Sequence, residues 1–209
     1  MHLYVSEQIR KKYGFSNEFL AGSILPDVKK LAGEGRDKTH FLVEKRKNRV
    51  TLSLPEVEDY IEKSKSEGNS EIRLGYLAHL IEDKIWFKDY MPVYGDVVGV
   101  DQDKDELYAC QEGNHKVIKT HDEFVSEIYS DYGIWNPILM SKYGILDYEK
   151  IEDILFTQIG NSNMKKMISG YINEQEEDKK IKFITRENMD SYFEKCFNEV
   201  TKTIDKMIK

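Results

Sequence analysis

Gly75-Tyr-Leu-Ala-His79-Leu-Ile-Glu-Asp83-Lys-Ile-Trp86 is an apolar run that carries an imidazole and a carboxylate one helical turn apart. Side chains four residues apart share a helix face, so His79 and Asp83 can reach one point. A carboxylate in apolar surroundings needs a counter-charge or a proton, and a divalent metal ion is such a counter-charge. Taken alone, the pair also fits a plain intrahelical hydrogen bond. Working outward, Ile72, Leu74, Leu77, Ala78, Leu80, Ile81 and Ile85 cover most of the circumference, which predicts a central helix capped by Asn69 or Ser70.

Helical signals recur on both sides of this run, and strand alternation is scarce. Ser53-Leu-Pro-Glu56 has the form of a capping box, and Val57, Tyr60 and Ile61 follow at helical spacing up to Gly68. Thr120-His-Asp-Glu123 is a second capping box, ahead of Phe124, Val125, Ile128 and Tyr129. Asp147 precedes Ile151, Ile154 and Leu155, and Thr185 opens a last helix with Met189, Tyr192, Phe193, Cys196, Phe197, Val200 and Ile204 on its apolar stripe. The stretch from about Tyr94 to Lys119 has no clear period and is expected to be a loop or flap that contacts substrate. The expected fold is all-α, a multi-helix bundle forming one domain over residues 1–209.

Composition narrows the function classes. A net charge of −7 disfavours nucleic acid and anionic membrane as partners, because both require a basic face. The local basic run Lys45-Arg46-Lys47-Asn48-Arg49 fits a solvated turn. No apolar run approaches the roughly 18 residues of a membrane span. The N-terminal residues lack the pattern of a secretory signal, so a cytoplasmic location is expected. Cys110 and Cys196 are too far apart in sequence to be a close-spaced metal pair.

Of the five histidines, His2, His40 and His79 fall in the first 80 residues. His40 follows a Gly-rich stretch in Thr39-His40-Phe41, and Leu25-Pro26-Asp27 lies just before it. Proline disfavours helical geometry at Leu25, so a short apolar helix beginning near Phe15 is expected to end there, with Asp27 at its exit. His and Asp together suit zinc, manganese or iron, and a site of Asp27, His40, His79 and Asp83 with room for water would support metal-assisted hydrolysis. Glu82 is expected to face solvent or a neighbouring helix. Tyr129, Tyr132, Trp135 and Tyr143 are candidates for either core or pocket wall.

Phe19-Leu-Ala-Gly-Ser-Ile-Leu-Pro-Asp27, Thr39-His40-Phe41 and Leu74-Gly-Tyr-Leu-Ala-His79-Leu-Ile-Glu-Asp83 resemble, in order and spacing, the bacterial zinc-dependent phospholipase C family. That family shares its all-helical fold with single-strand-specific zinc nucleases, and the resemblance covers about the first 90 residues. It implies that Asp27, His40, His79 and Asp83 hold one zinc ion, that Asp83 bridges toward a second, and that His2 serves the second site. It also implies that Asp27 lies beside the attacking water as general base. The family's further metal uses two more histidines and a glutamate downstream, and His115 and His121 do not reproduce that spacing. Asp89, Asp101, Asp103 and Asp105 lie in the corresponding region without matching it. Secreted members also use an amino group exposed by signal cleavage, whereas Met1 here follows no processing signal.

The expected protein is therefore a metal-dependent hydrolase, with zinc as cofactor in one copy or two, and a small-molecule or lipid phosphate ester as substrate. The alternatives are a metal-binding scaffold without turnover and, against the charge balance, a nuclease.

Overall fold

The computed structural model describes residues 1–47, 50–102, 106–112, 115–143, 148–160 and 180–208. Its helices are α1 (His2–Tyr13), α2 (Asn17–Leu31), α3 (Arg36–Thr39), α4 (Val57–Glu67), α5 (Glu71–Ile85), α6 (Met91–Tyr94), α7 (His121–Tyr143), α8 (Tyr148–Ile159) and α9 (Arg186–Met207). Between α5 and α6 the chain widens into one π-helical turn, Trp86–Tyr90. The strands are β1 (Leu42–Lys47), β2 (Val50–Pro55), β3 (Gly95–Val100), β4 (Glu106–Glu112) and β5 (His115–Thr120).

The expectation of an all-α fold is overturned by these strands. β1 and β2 form an antiparallel hairpin, and β3, β4 and β5 form an antiparallel meander, so the protein is a largely helical bundle carrying two small sheets. The stretch expected to be a loop is the meander. Its alternation is masked because Tyr108, Ala109 and Cys110 are buried in succession on β4, and a bulge between Val97 and Gly99 shifts the β3 register. Backbone pairing holds such strands together whatever the side-chain pattern. Ser53 to Pro55 likewise lie in β2, so the helix expected after them forms without the capping box, and Glu56 at its N-cap makes no side-chain cap bond.

Other helix ends follow local chemistry. The Thr120–Glu123 box is formed: Glu123 N donates to Thr120 Oγ1 at 3.4 Å, and Thr120 N donates to Glu123 Oε2 at 2.9 Å. Thr185 Oγ1 accepts from Asn188 N at 3.3 Å to open α9. α8 also forms, while Asp147 lies outside the described residues, as do Asp103 and Asp105.

α2 and α5 are the central pair. α1, α3 and α8 pack on α2, α4 and α9 pack on α5, and α7 covers β4 and β5. Phe19, Leu20, Leu77 and Leu80 are essentially fully buried between them. Each such side chain contributes about 1.5–3 kcal/mol relative to exposure.

α2 does not stop at Pro26. It continues to Leu31, which places Asp27 inside the helix and not at its exit. Proline inside a helix loses one hydrogen bond and crowds the carbonyl four residues back, at about 3 kcal/mol. That residue is Gly22, and the turns on either side are buried, so tertiary packing outweighs the local penalty.

Candidate metal centre

The site begins at the crossing of α2 and α5. A Cβ on Gly75 would overlap the Phe19 carbonyl and the Ser23 amide nitrogen, and one on Gly22 would overlap the Ile72 carbonyl. The two backbones therefore touch, which only glycine permits. At this distance His79 Nδ1 donates to the Ser23 carbonyl oxygen at 2.8 Å. A carbonyl can only accept, so the His79 proton is on Nδ1, and Nε2 presents a lone pair.

His40 is oriented in the same sense. It ends the short α3, and Thr39 Oγ1 donates its hydrogen to Arg36 O at 3.4 Å. His40 Nδ1 can then donate to Thr39 Oγ1 at 2.8 Å, leaving Nε2 bare. The Tyr76 hydroxyl pins the Thr39 carbonyl. Phe41 follows in the left-handed region with φ 52°, an unfavourable conformation for an aromatic residue that turns the chain directly after His40.

The two bare nitrogens face each other at 3.2 Å. Asp27 Oδ1 is 3.4 Å from His40 Nε2, and Asp83 Oδ2 is 3.6 Å from His40 Nε2 and 3.7 Å from His79 Nε2. Tetrahedral ligands about 2.1 Å from a zinc ion stand about 3.4 Å apart. These four separations lie within about 0.3 Å of that edge length. Lone pairs facing at this range repel unless a proton or cation sits between them.

A second group overlaps the first. His2, the first residue of α1, places Nδ1 2.7 Å from Glu82 Oε2 and Nε2 3.4 Å from Asp83 Oδ1, and its ring stacks on His79 with centroids 4.0 Å apart. Two sets, Asp27–His40–His79 and His2–His79–Asp83, each have their donor atoms within 4.8 Å of one another, and each can coordinate a metal ion. Asp83 thus turns one oxygen toward each set.

Burial and neighbouring charges set the protonation of the donors differently. Burial and the charge of His2 lower the His79 pKa to about 4, so its imidazole is neutral at pH 7. Burial alone would raise Asp27 and Asp83, yet the neighbouring imidazoles hold both below the usual carboxylate range. Burial raises Glu82 even against its hydrogen bond to His2. Burial also opposes the charge on His2, but Asp83 and Glu82 outweigh it and push its pKa up to about 10. His2 is thus a cation set against these carboxylates.

The donors open onto a cleft of about 190 Å³. His2, Asp27 and Asp83 form one wall, Lys30 and Arg36 flank it, and Ile24, Leu31, Phe87, Tyr129, Tyr132 and Leu139 supply apolar surface. No described residue of the meander lines this cleft. Trp135 is core, its indole donating to Ile184 O at 2.7 Å, and the Tyr143 side chain lies outside the described residues. His121 stands over Glu106 at the surface, and Asp89 pairs with Lys195 at 3.1 Å.

The five residues expected at the site are therefore assembled together. Of the two arrangements expected for Glu82, solvent or a neighbouring helix, the structure takes the second: it is 0% exposed against His2 of α1, while Arg36, which the sequence did not single out, stands 3.9 Å from Asp83. The spacing from His79 to Glu82 carries a signal, since residues three apart share a face. Nothing around Arg36 in the sequence marks it.

Comparison of the chain with protein-family models, curated proteins and solved structures finds no match.

Proposed function

We propose that the protein is a metal-dependent hydrolase of a phosphate ester, similar in its site to the zinc-dependent phospholipases C that its first 90 residues resemble. The observation that carries this reading is the pair of overlapping donor sets, Asp27–His40–His79 and His2–His79–Asp83, beside a cleft. Zinc is the proposed ion, because imidazole with carboxylate suits it, and the second set offers a second position. The bound ion would polarise a phosphoryl oxygen and lower the pKa of water toward about 7.

The chain's own residues do the rest. Asp27 lines the cleft, where its carboxylate accepts a hydrogen bond from the attacking water and orients it as general base. Glu82 fixes the His2 ring by its 2.7 Å contact, and Ser23 and Thr39 fix the tautomers of His79 and His40. The apolar wall takes the esterified group, small or lipid.

A second reading, a metal-binding scaffold without turnover, is favoured by one observation: His115 and His121 do not line the cleft, so a larger metal cluster has no donors from them. The test is turnover of p-nitrophenyl phosphate and bis-p-nitrophenyl phosphate by zinc-loaded protein, beside Asp27→Asn. Turnover that disappears in the variant supports the hydrolase. Wild type that holds zinc yet turns over neither ester supports the scaffold.

A further inference from the structure

We infer that Arg36 holds the non-bridging phosphoryl oxygens of the substrate, an assignment that rests on the phosphate-ester reading above. The first argument is charge. A divalent ion among Asp27 and Asp83 is neutralised by those two carboxylates, which leaves little net attraction for a phosphate anion. Excess positive charge must come from the cleft itself; His2 is already paired with Glu82 and Asp83, and Lys30 and Arg36 are the lysine and arginine that line it among the described residues.

The second argument is geometry. The Arg36 guanidinium lies against the Phe87 ring, 4.9 Å from its centroid, with 41% of the side chain exposed. A planar guanidinium on an aromatic face keeps its N–H donors directed sideways, where they match the oxygens of a phosphoryl group. Its Nη2 is 3.9 Å from Asp83 Oδ2, too long for a hydrogen bond, so those donors are not committed to Asp83. The same Asp83 oxygen faces His40 and His79, so the guanidinium stands beside donor atoms that would hold the ion. The backbone is fixed as well: Arg36 O accepts from His40 N at 2.9 Å, which couples the arginine to a metal donor. Lys30 sits one turn beyond Asp27 on a flexible stem and adds charge without fixed direction.

The competing role is structural, with Arg36 only neutralising Asp83. Zinc-loaded wild type, Arg36→Lys and Arg36→Ala separate the two through three readouts: zinc content by elemental analysis, inorganic phosphate affinity by calorimetry, and KM against kcat for p-nitrophenyl phosphate. The assignment expects unchanged zinc content, phosphate bound about ten- to a hundredfold more weakly by Arg36→Ala with partial recovery in Arg36→Lys, and an effect on KM larger than on kcat. If Arg36→Ala does not fold, Arg36→Lys carries the test, and a several-fold loss of phosphate affinity at full zinc content is the expected result. Unchanged phosphate affinity with zinc retained overturns the assignment while leaving the hydrolase reading in place. Loss of zinc on removing Arg36 also overturns it, in favour of the structural role. Wild type that holds zinc but neither binds phosphate nor cleaves the ester removes both readings together.

Discussion

Asp83→Asn tests the metal centre, because Asp83 belongs to the set with His2 and His79 and turns its other oxygen toward the nitrogens of His40 and His79. Its Oδ2 lies 3.6 and 3.7 Å from the bare nitrogens of His40 and His79, and its Oδ1 lies 3.4 Å from His2. Asparagine keeps the shape and removes the anionic donor. A ligand present at a hundred times its Kd stabilises the folded state by about 2.7 kcal/mol. For a chain of this length each kcal/mol moves Tm by about 2–4 °C, so zinc at that level raises the wild-type Tm by about 5–11 °C. Loss of an orienting partner alone weakens metal binding about ten- to a hundredfold, and loss of a charged donor lies at or beyond the upper end. At a hundredfold weaker binding the same zinc only equals Kd, which leaves about 0.4 kcal/mol and a rise of about 1–2 °C. The assay is thermal melting of chelator-stripped protein in buffered zinc. Both chains carry the same thiols, Cys110 and Cys196, so zinc binding to the unfolded state is common to them and drops out of the difference. Equal zinc-induced shifts in the two proteins, or none in wild type, would refute the site.

Three further outcomes are expected. Gly75→Ala drives a methyl into the Phe19 carbonyl and the Ser23 amide, so α2 and α5 must separate; urea unfolding should show a loss of about 1–3 kcal/mol, accompanied by a smaller zinc-induced Tm shift as His79 is drawn from Ser23. Asp131 accepts from the backbone N–H groups of Lys182, Phe183 and Ile184, each at 2.8 Å, and two of these donors are buried; Asp131→Ala should cost about 2–6 kcal/mol by urea midpoint, and a change under about 0.5 kcal/mol would contradict the role. Burial pushes the Glu7 carboxyl up, but Arg10 at 2.6 Å and Lys11 at 3.2 Å outweigh it and lower its pKa. A lowered folded-state pKa gives stability that is present above the unfolded carboxyl pKa and lost as pH falls through the folded one, so the advantage of wild type over Glu7→Gln should be full near neutrality and shrink in urea titrations as pH falls below about 4.

Much of the helical framework was legible because its signals are local. Val57 to Glu67, Glu71 to Ile85 and Arg186 to Met207 announce themselves by apolar period, and the Thr120 and Thr185 caps use side chains within three residues of the amides they satisfy. The strands were illegible for the opposite reason. β4 draws its stability from backbone pairing to β3 and β5, and its successive buried residues obey no alternation. Pro26 misled because its penalty is local, whereas the burial that outweighs it comes from α5.

At the site, residue types suggested Asp27, His40, His79 and Asp83 as one chemical set, and the resemblance carried by the first 90 residues added His2. Only the tertiary structure decided what they face. The contact of α2 with α5 at Gly22 and Gly75 lets a Ser23 carbonyl choose the His79 tautomer, and the same packing buries Glu82 on His2 and brings Arg36 beside Asp83. Such choices depend on distances between segments far apart in the chain, and no local spacing encodes them.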